Sequence, residues 1–376
     1  MVPFPHVRVR GPARQRGRQL GEQAAQRVQR SVGIYKGVFR HYAGWEWAQV
    51  VEHAARYRPA IQAYAPHYLE EMEGIAEGSG VEEQDVLAIN VRTEIMFAAV
   101  ARKAAQGCTS FVALPEATAS RHTLVGQNWD WKPAMGETVI VLEVEQDEGP
   151  DFVTVVEAGL LAKVGMNSAG IGLTTNALVS DLDRGDPGVP YHVILRGILD
   201  AETMSDALGA VNRLPRASAA NYLIAHREGA AINIEAAPGD HSHVYIDFPG
   251  EDGLFAHTNH FTCDRFNLKD VSLWDGPDSP FRWHRMWKFL RASRGEITPD
   301  RLQAYLADHV NYPAGICSHP DPRIEPADRY ATVASVIMDL DTKTLWLADG
   351  KPCETPFREL EYGGFLRKAP SFLPSE

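Results

Sequence analysis

The periodicity of this chain changes once, abruptly, at Gly107-Cys108. From Ala13 to about Ala104, apolar residues recur at spacings of three and four with little β-branching, most clearly over 23–42, 45–58 and 60–73. That is the pattern of amphipathic helices. Glu77-Gly78-Ser79-Gly80 reads as a break, after which Glu82-Glu83 open another helix with acidic side chains where the helix dipole favours them. Beyond Cys108 the period becomes two. Residues 109–114, 123–129, 138–145 and 152–157 read as strands separated by polar or Gly/Pro punctuation.

Helical patterns return at 191–213 and 280–294, with strand-like 221–224, 231–235 and 243–246 between them. Late in the chain, 332–338 and 344–347 flank Asp339-Leu340-Asp341-Thr342-Lys343, a hairpin signature. Residues 7–11 alternate and form a short strand candidate. Runs of strands, then helices, then strands favour a layered α+β fold over a doubly wound one. At 376 residues with 44% hydrophobic content the chain can bury a large core.

The formal net charge of −12 argues against nucleic-acid or anionic-membrane partners, which call for a basic face. The basic cluster at 8–18 reads as the solvated start of a helix. No apolar stretch approaches the roughly 18–20 residues of a membrane-spanning helix, and the N-terminus lacks a secretory pattern. Cys108, Cys263, Cys317 and Cys353 are widely spaced without a CxxC, which suits a reducing compartment; the cytoplasm is the expectation.

A Gly-Cys junction at a strand start, followed by the acidic Gly126-Gln127-Asn128-Trp129-Asp130-Trp131, suggests a self-cleaving nucleophile. Glycine permits backbone conformations strained for other residues and leaves its carbonyl open to the neighbouring sulfur. Scission between Gly107 and Cys108 would give Cys108 a free α-amine with an unperturbed pKa of about 7.7–8.0, a usable general base beside its own thiol. Alternation would put Asp130 and Asn128 on one side of their strand and the two tryptophans on the other. In His257-Thr258-Asn259-His260, histidines three apart on an extended segment point to opposite faces and do not converge on one ion. Cys317-Ser318-His319 pairs two ligand types on one side but has no second cluster in the sequence, so a structural role is expected.

At these residues the chain resembles the penicillin acyltransferase (acyl-CoA:6-aminopenicillanic acid acyltransferase) family of N-terminal-nucleophile hydrolases. Gly107-Cys108-Thr109 and Gly126-Gln127-Asn128-Trp129-Asp130 carry the likeness. It continues through Lys163-Val164-Gly165-Met166-Asn167-Ser168-Ala169-Gly170, Asn176-Ala177-Leu178, Gly188-Val189-Pro190-Tyr191-His192, Ala256-His257-Thr258-Asn259-His260 and Asn311-Tyr312-Pro313.

The resemblance implies a four-layer αββα sandwich. Residues 1–107 would be a helical pro-segment wrapped on it, and 108–376 the catalytic core. It implies an autoprocessed cysteine amidohydrolase or acyltransferase acting on an amide or an acyl thioester. Cys108 would be the nucleophile, Asp130 a catalytic residue, Asn259 an oxyanion donor, Asn176 a second active-site asparagine and Arg329 a substrate-binding arginine. At Arg329 the family has glycine next, where this chain has Tyr330. No metal or redox cofactor is implied, while acyl-CoA is a conceivable co-substrate. The partner of the core would be its own cleaved N-terminal chain, with homo-oligomerisation left open. Hydrolysis is expected over transfer to a β-lactam nucleus. Two rivals remain: a Cys-His hydrolase that keeps its chain intact, with His257 or His260 serving Cys108, and a non-catalytic binding protein on the same scaffold.

Overall fold

The computed structural model describes residues 3–99, 107–265, 268–274, 276–369 and 371. The end of the helical reading before Gly107, including Ala104-Ala105-Gln106, lies outside them.

Two β-sheets form the centre. The first holds eight strands in the order β1 (His6–Arg10), β4 (Val139–Glu145), β5 (Phe152–Glu157), β6 (Val164–Asn167), β7 (Ile171–Ala177), β8 (Ala220–His226), β9 (Ala230–Ala236) and β10 (Val244–Asp247). The second holds six: β11 (Leu254–His257), β2 (Cys108–Ala113), β3 (Leu124–Trp131), β12 (Ala331–Asp339), β13 (Thr344–Ala348) and β14 (Arg358–Glu361). All pairs are antiparallel except β1 with β4. Strands β2 and β3 meet β7 and β8 across the interior.

Helices α7 (Tyr191–Leu199) and α8 (Met204–Asn212) cover the first sheet, and α9 (Ser279–Ala292) and α10 (Pro299–Leu306) cover the second. The layers are therefore αββα, as the resemblance implied. Covered on both faces, β2, β3 and β12 bury every residue. Their apolar content need not alternate strictly, because neither face meets water.

The chain before Cys108 forms α1 (Ala13–Ala43), α2 (Trp47–Ala55), α3 (Arg58–Tyr64), α4 (Pro66–Ser79), α5 (Glu83–Asn90) and α6 (Arg92–Ala99). One hydrophobic core runs from Phe4 and Val28 through Trp129 to Leu345. Tyr35 donates its hydroxyl to Glu157 at 2.8 Å, and Arg92 pairs with Glu157 at 3.3 Å while stacking over Trp131. These buried polar contacts bind the helical segment to β5 and β3.

The break read over Glu77-Gly78-Ser79-Gly80 falls at Gly80, which ends α4, while Gly78 has another role. It lies inside α4, where a Cβ would sit 2.2 Å from the Arg18 carbonyl oxygen of α1. Gly17 of α1 is matched to Glu71 of α4 in the same way, at 2.0 Å. Glycines here let two helix backbones touch, and the turn waits for Gly80 at φ +70.

The helix read over 191–213 is two helices. Thr203 restarts the second through a capping box with Asp206. Strands β6 and β14 and helix α10 were missed, being four, four and eight residues long. Among the described residues no helix is long and apolar enough to cross a membrane.

Candidate active site

Strand β2 opens on Cys108, and its register on β3 sets the site: Cys108 lies opposite Trp129 and Thr109 opposite Asn128. Alternation then divides the pair into two sides. Cys108, Ser110, Gln127 and Trp129 face the first sheet, while Thr109, Asn128 and Asp130 face the helices of the second.

On the first side the thiol is buried, with Cys108 only 2% exposed. Burial pushes it up to about 11, against the opposing pull of Lys163. The Lys163 ammonium lies 4.6 Å from the centre of the Trp129 ring, and burial brings it down to about 8. Desolvation disfavours both charged forms.

On the second side Asp130 is equally enclosed. Its Oδ1 accepts from the Thr332 hydroxyl at 2.6 Å, and that hydroxyl oxygen accepts the Ser318 N–H at 2.9 Å. Burial raises Asp130 to about 6, with Arg282 and Thr332 opposing. The other carboxylate oxygen crowds Gly107, where a Cβ would lie 2.6 Å from Oδ2. Space therefore explains the glycine before the cysteine.

The backbone of the junction is held from three directions. The Gly107 carbonyl accepts the Asp130 N–H at 2.8 Å, and that same N–H favours the Cys108 thiolate. The Cys108 N–H donates to Asn259 Oδ1 at 2.7 Å. The Cys108 carbonyl accepts from Arg282 Nη1 at 2.6 Å.

Arg282, on α9, also donates to Thr109 Oγ1 at 3.1 Å and Asn259 Oδ1 at 3.2 Å, and its Nε reaches Asp278 at 2.6 Å. Two donors on Oδ1 fix the orientation of the Asn259 amide. Its NH₂ donates to the Ala177 carbonyl at 3.1 Å, which leaves one N–H uncommitted among the described residues.

Of the residues singled out in the sequence, Gly107, Cys108, Asp130 and Asn259 come together. Asn176 stands one step away. Its Oδ1 accepts from the Ser110 hydroxyl at 2.5 Å, and its buried NH₂ has no partner among the described residues. Arg329 lies apart, donating to the carbonyls of Ile324 at 3.0 Å and Pro322 at 3.4 Å, so it braces a loop. His257 is bound to Glu235 at 2.8 Å and His260 lies 2.8 Å from the Ser279 hydroxyl. Among the described residues neither histidine is recorded in a hydrogen bond to the Cys108 sulfur, so a Cys-His pair is not assembled.

A cavity of about 420 Å³ opens on the second side, lined by Gly107, Asp130, Arg282, Tyr312, Ile324 and Tyr330 among others. A larger one of about 730 Å³ lies near Arg16, Tyr68 and Asp200, and its walls carry no cysteine, serine or threonine. Of the two, the smaller is the one walled by Gly107, Asp130 and Arg282.

Sequence reasoning missed Arg282 and Lys163. Arg282 sits in Phe281-Arg282-Trp283 of an amphipathic helix, where an arginine ordinarily reads as solvated. Lys163 stood within a motif but without an assigned role, because its neighbours Cys108 and Trp129 are far away in sequence.

Comparison with known proteins adds the lineage. Residues 117–354 match the family model described as acyl-coenzyme A:6-aminopenicillanic acid acyl-transferase. That stretch holds Asp130, Asn176, Asn259 and Arg282 but begins after Cys108. The acyl-coenzyme A:6-aminopenicillanic-acid-acyltransferase 40 kDa form of Emericella nidulans is 27% identical over 348 residues, covering 92% of this chain and 93% of the relative. An uncharacterized protein of Archaeoglobus fulgidus is 25% identical over 67% of this chain and 48% of its own length. Among solved structures, a mutant conjugated bile acid hydrolase from Clostridium perfringens aligns at 12% identity and TM-score 0.45, covering 70% of this chain and 94% of that one. Penicillin V acylase from Agrobacterium tumefaciens aligns at 15% identity and TM-score 0.40, covering 68% and 86%. With the family model spanning well over half of its length, the chain belongs to the acyl-coenzyme A:6-aminopenicillanic acid acyl-transferase family.

Proposed function

We propose that this protein is an autoprocessed cysteine amidohydrolase or acyltransferase. In the first step the Cys108 sulfur attacks the Gly107 carbonyl carbon. The C–N bond breaks as the nitrogen takes a proton, leaving a thioester between Gly107 and Sγ. Water then releases the Gly107 carboxylate and the free thiol. The products are residues 1–107 and 108–376, which stay associated through the shared core.

The observation that carries this reading is the Asp130 N–H held on the Gly107 carbonyl at 2.8 Å while the scissile nitrogen is gripped by Asn259 at 2.7 Å. A donor fixed on the carbonyl oxygen before attack stabilises the oxyanion without reorganisation. Lys163, the main charge favouring the Cys108 thiolate, suits the role of helping the buried thiol ionise while no free amine exists.

After scission the new α-amine is the base for its own thiol, held by Asn259 and by the Asp130 carboxylate. The thiol then takes an acyl group from a small amide or thioester bound in the 420 Å³ cavity, forming an S-acyl enzyme. Water or an amine accepts that group. The uncommitted N–H of Asn259 is the proposed oxyanion donor in this second reaction.

The test is to mix processed protein with a panel of N-acyl amines and acyl-CoAs, quench with acid, and weigh the 108–376 chain. An increase equal to the acyl group, mapped to Cys108, supports the proposal. A panel that is turned over with no adduct, and whose turnover survives Cys108→Ala, overturns it.

A further inference from the structure

The sequence offers Cys317-x-His319 as half a metal site, and the fold supplies the other half. His309 and Cys353 come to the same point, so that one ligand atom from each of the four residues lies within 4.8 Å of the others. The measured separations are 3.4 Å between the two sulfurs, 3.0 Å between the two Nε2 atoms, and 3.7 and 3.3 Å from His319 Nε2 to Cys317 and Cys353.

Zinc bonded to sulfur at about 2.3 Å and to imidazole nitrogen at about 2.0–2.1 Å in a tetrahedron would set those edges at roughly 3.8, 3.3 and 3.6 Å. Four of the six edges of a tetrahedral cage thus lie within about 0.4 Å of those of a zinc site, and the two from His309 to the sulfurs lie within 4.8 Å. Two thiolates and two imidazoles are also a borderline-soft donor set that selects zinc over the hard cations.

The surroundings are those of a built site. Glu354 lies 3.7 Å from His319 Nδ1, the ring nitrogen that does not face the cluster, and so favours the tautomer with Nε2 free to ligate. The loop carrying three of the ligands is braced by backbone bonds from Cys317 N–H to the Asp308 carbonyl and from His319 N–H to the Pro313 carbonyl. Cys317 is buried, whereas Cys353 and His309 reach the surface, which gives a metal a way in.

We propose that His309, Cys317, His319 and Cys353 bind one structural zinc ion. Its place in the molecule gives it a purpose. Ser318, between two ligands, donates its N–H to Thr332, whose hydroxyl in turn donates to Asp130. The same loop lines the cavity with Tyr312, Pro313 and His319. The ion would pin the cavity wall to the turn that follows β13 and hold the Asp130 carboxylate in register. All four positions are filled by protein, so it takes no part in bond making.

The test is metal analysis of the full chain, purified without a metal-affinity step in reducing buffer, with one equivalent of Zn²⁺ added and the excess removed by gel filtration. Close to one zinc per chain is expected, falling at least fivefold in Cys353→Ser and in His309→Ala, both at exposed positions. Exchange with Co²⁺ should give strong visible d–d bands and a near-ultraviolet thiolate charge-transfer band, absent in Cys353→Ser. Failure to retain either metal would overturn the proposal, as would retention unchanged in both variants. So would a Cys317–Cys353 disulfide that persists in reducing buffer. Because the readout is metal content, it stands whether or not the chain cleaves itself.

Discussion

The two sides of the β2–β3 pair differ sharply. One is dry: the Cys108 thiol is pushed up to about 11 and Lys163 is brought down to about 8, both chiefly by burial. The other opens on a cavity and gathers Asp130, Arg282 and Asn259 around the backbone of the same cysteine. Among the described residues the two sides meet at the backbone atoms of Gly107 and Cys108. On the proposed reading, the peptide bond at this junction keeps the two sides apart, and breaking it would turn a backbone nitrogen into a base between them.

The harshest break of this comparison removes the sulfur. Cys108→Ala should leave the chain uncut and without measurable turnover, while Cys263→Ala cleaves normally; gel electrophoresis and an amidase assay read both. On the polar side, Asp130→Asn should lower the turnover of cleaved protein by about 10²-fold or more, because the carboxylate that is to hold the new amine is lost. Asn259→Ala, compared on cleaved protein only, should lower kcat by about 10²-fold with a modest change in KM. If it turns over at the wild-type rate, the oxyanion role passes to Asn176, whose NH₂ is buried and unpartnered among the described residues.

The dry side gives the smaller effects. Lys163→Met should slow cleavage about tenfold, the effect of about one pKa unit on the thiol's ionisation, with little change in the finished enzyme, whose own amine serves as base. The pH dependence sharpens the same division. Burial raises Asp130 to about 6, so the neutral form is favoured below that pH and the carboxylate is present above it. In cleaved protein the protonated α-amine held by this carboxylate favours its charged form, so the acid-side fall in turnover should lie below about pH 6 and vanish in Asp130→Asn.

Much of this was legible in the sequence, for reasons that can be named. The switch of period at Cys108 marks the start of β2, and β5 over Phe152–Glu157 matches its reading residue for residue. Alternation correctly separated Asp130 and Asn128 from the two tryptophans, because one strand's register is a local property. The break at 77–80 was legible but the packing role of Gly78 was not, because a glycine that lets two helices touch leaves the same local mark as one that ends a helix. Arg282, Lys163 and Thr332 were illegible because each acts on Cys108 or Asp130 from a segment brought near only by the fold. The same holds for Cys353 and His309, which complete a ligand set whose visible half, Cys317 and His319, looked insufficient alone. Helix α10 should have been found, since Thr298-Pro299 is a start signal and Thr298 caps it.

The most direct test of the central claim is the intact mass of freshly produced full-length protein under denaturing conditions. The account predicts two masses, residues 1–107 and 108–376, from a native particle in which both chains co-elute. A single mass for the full chain, unchanged after long incubation at neutral pH, would contradict it.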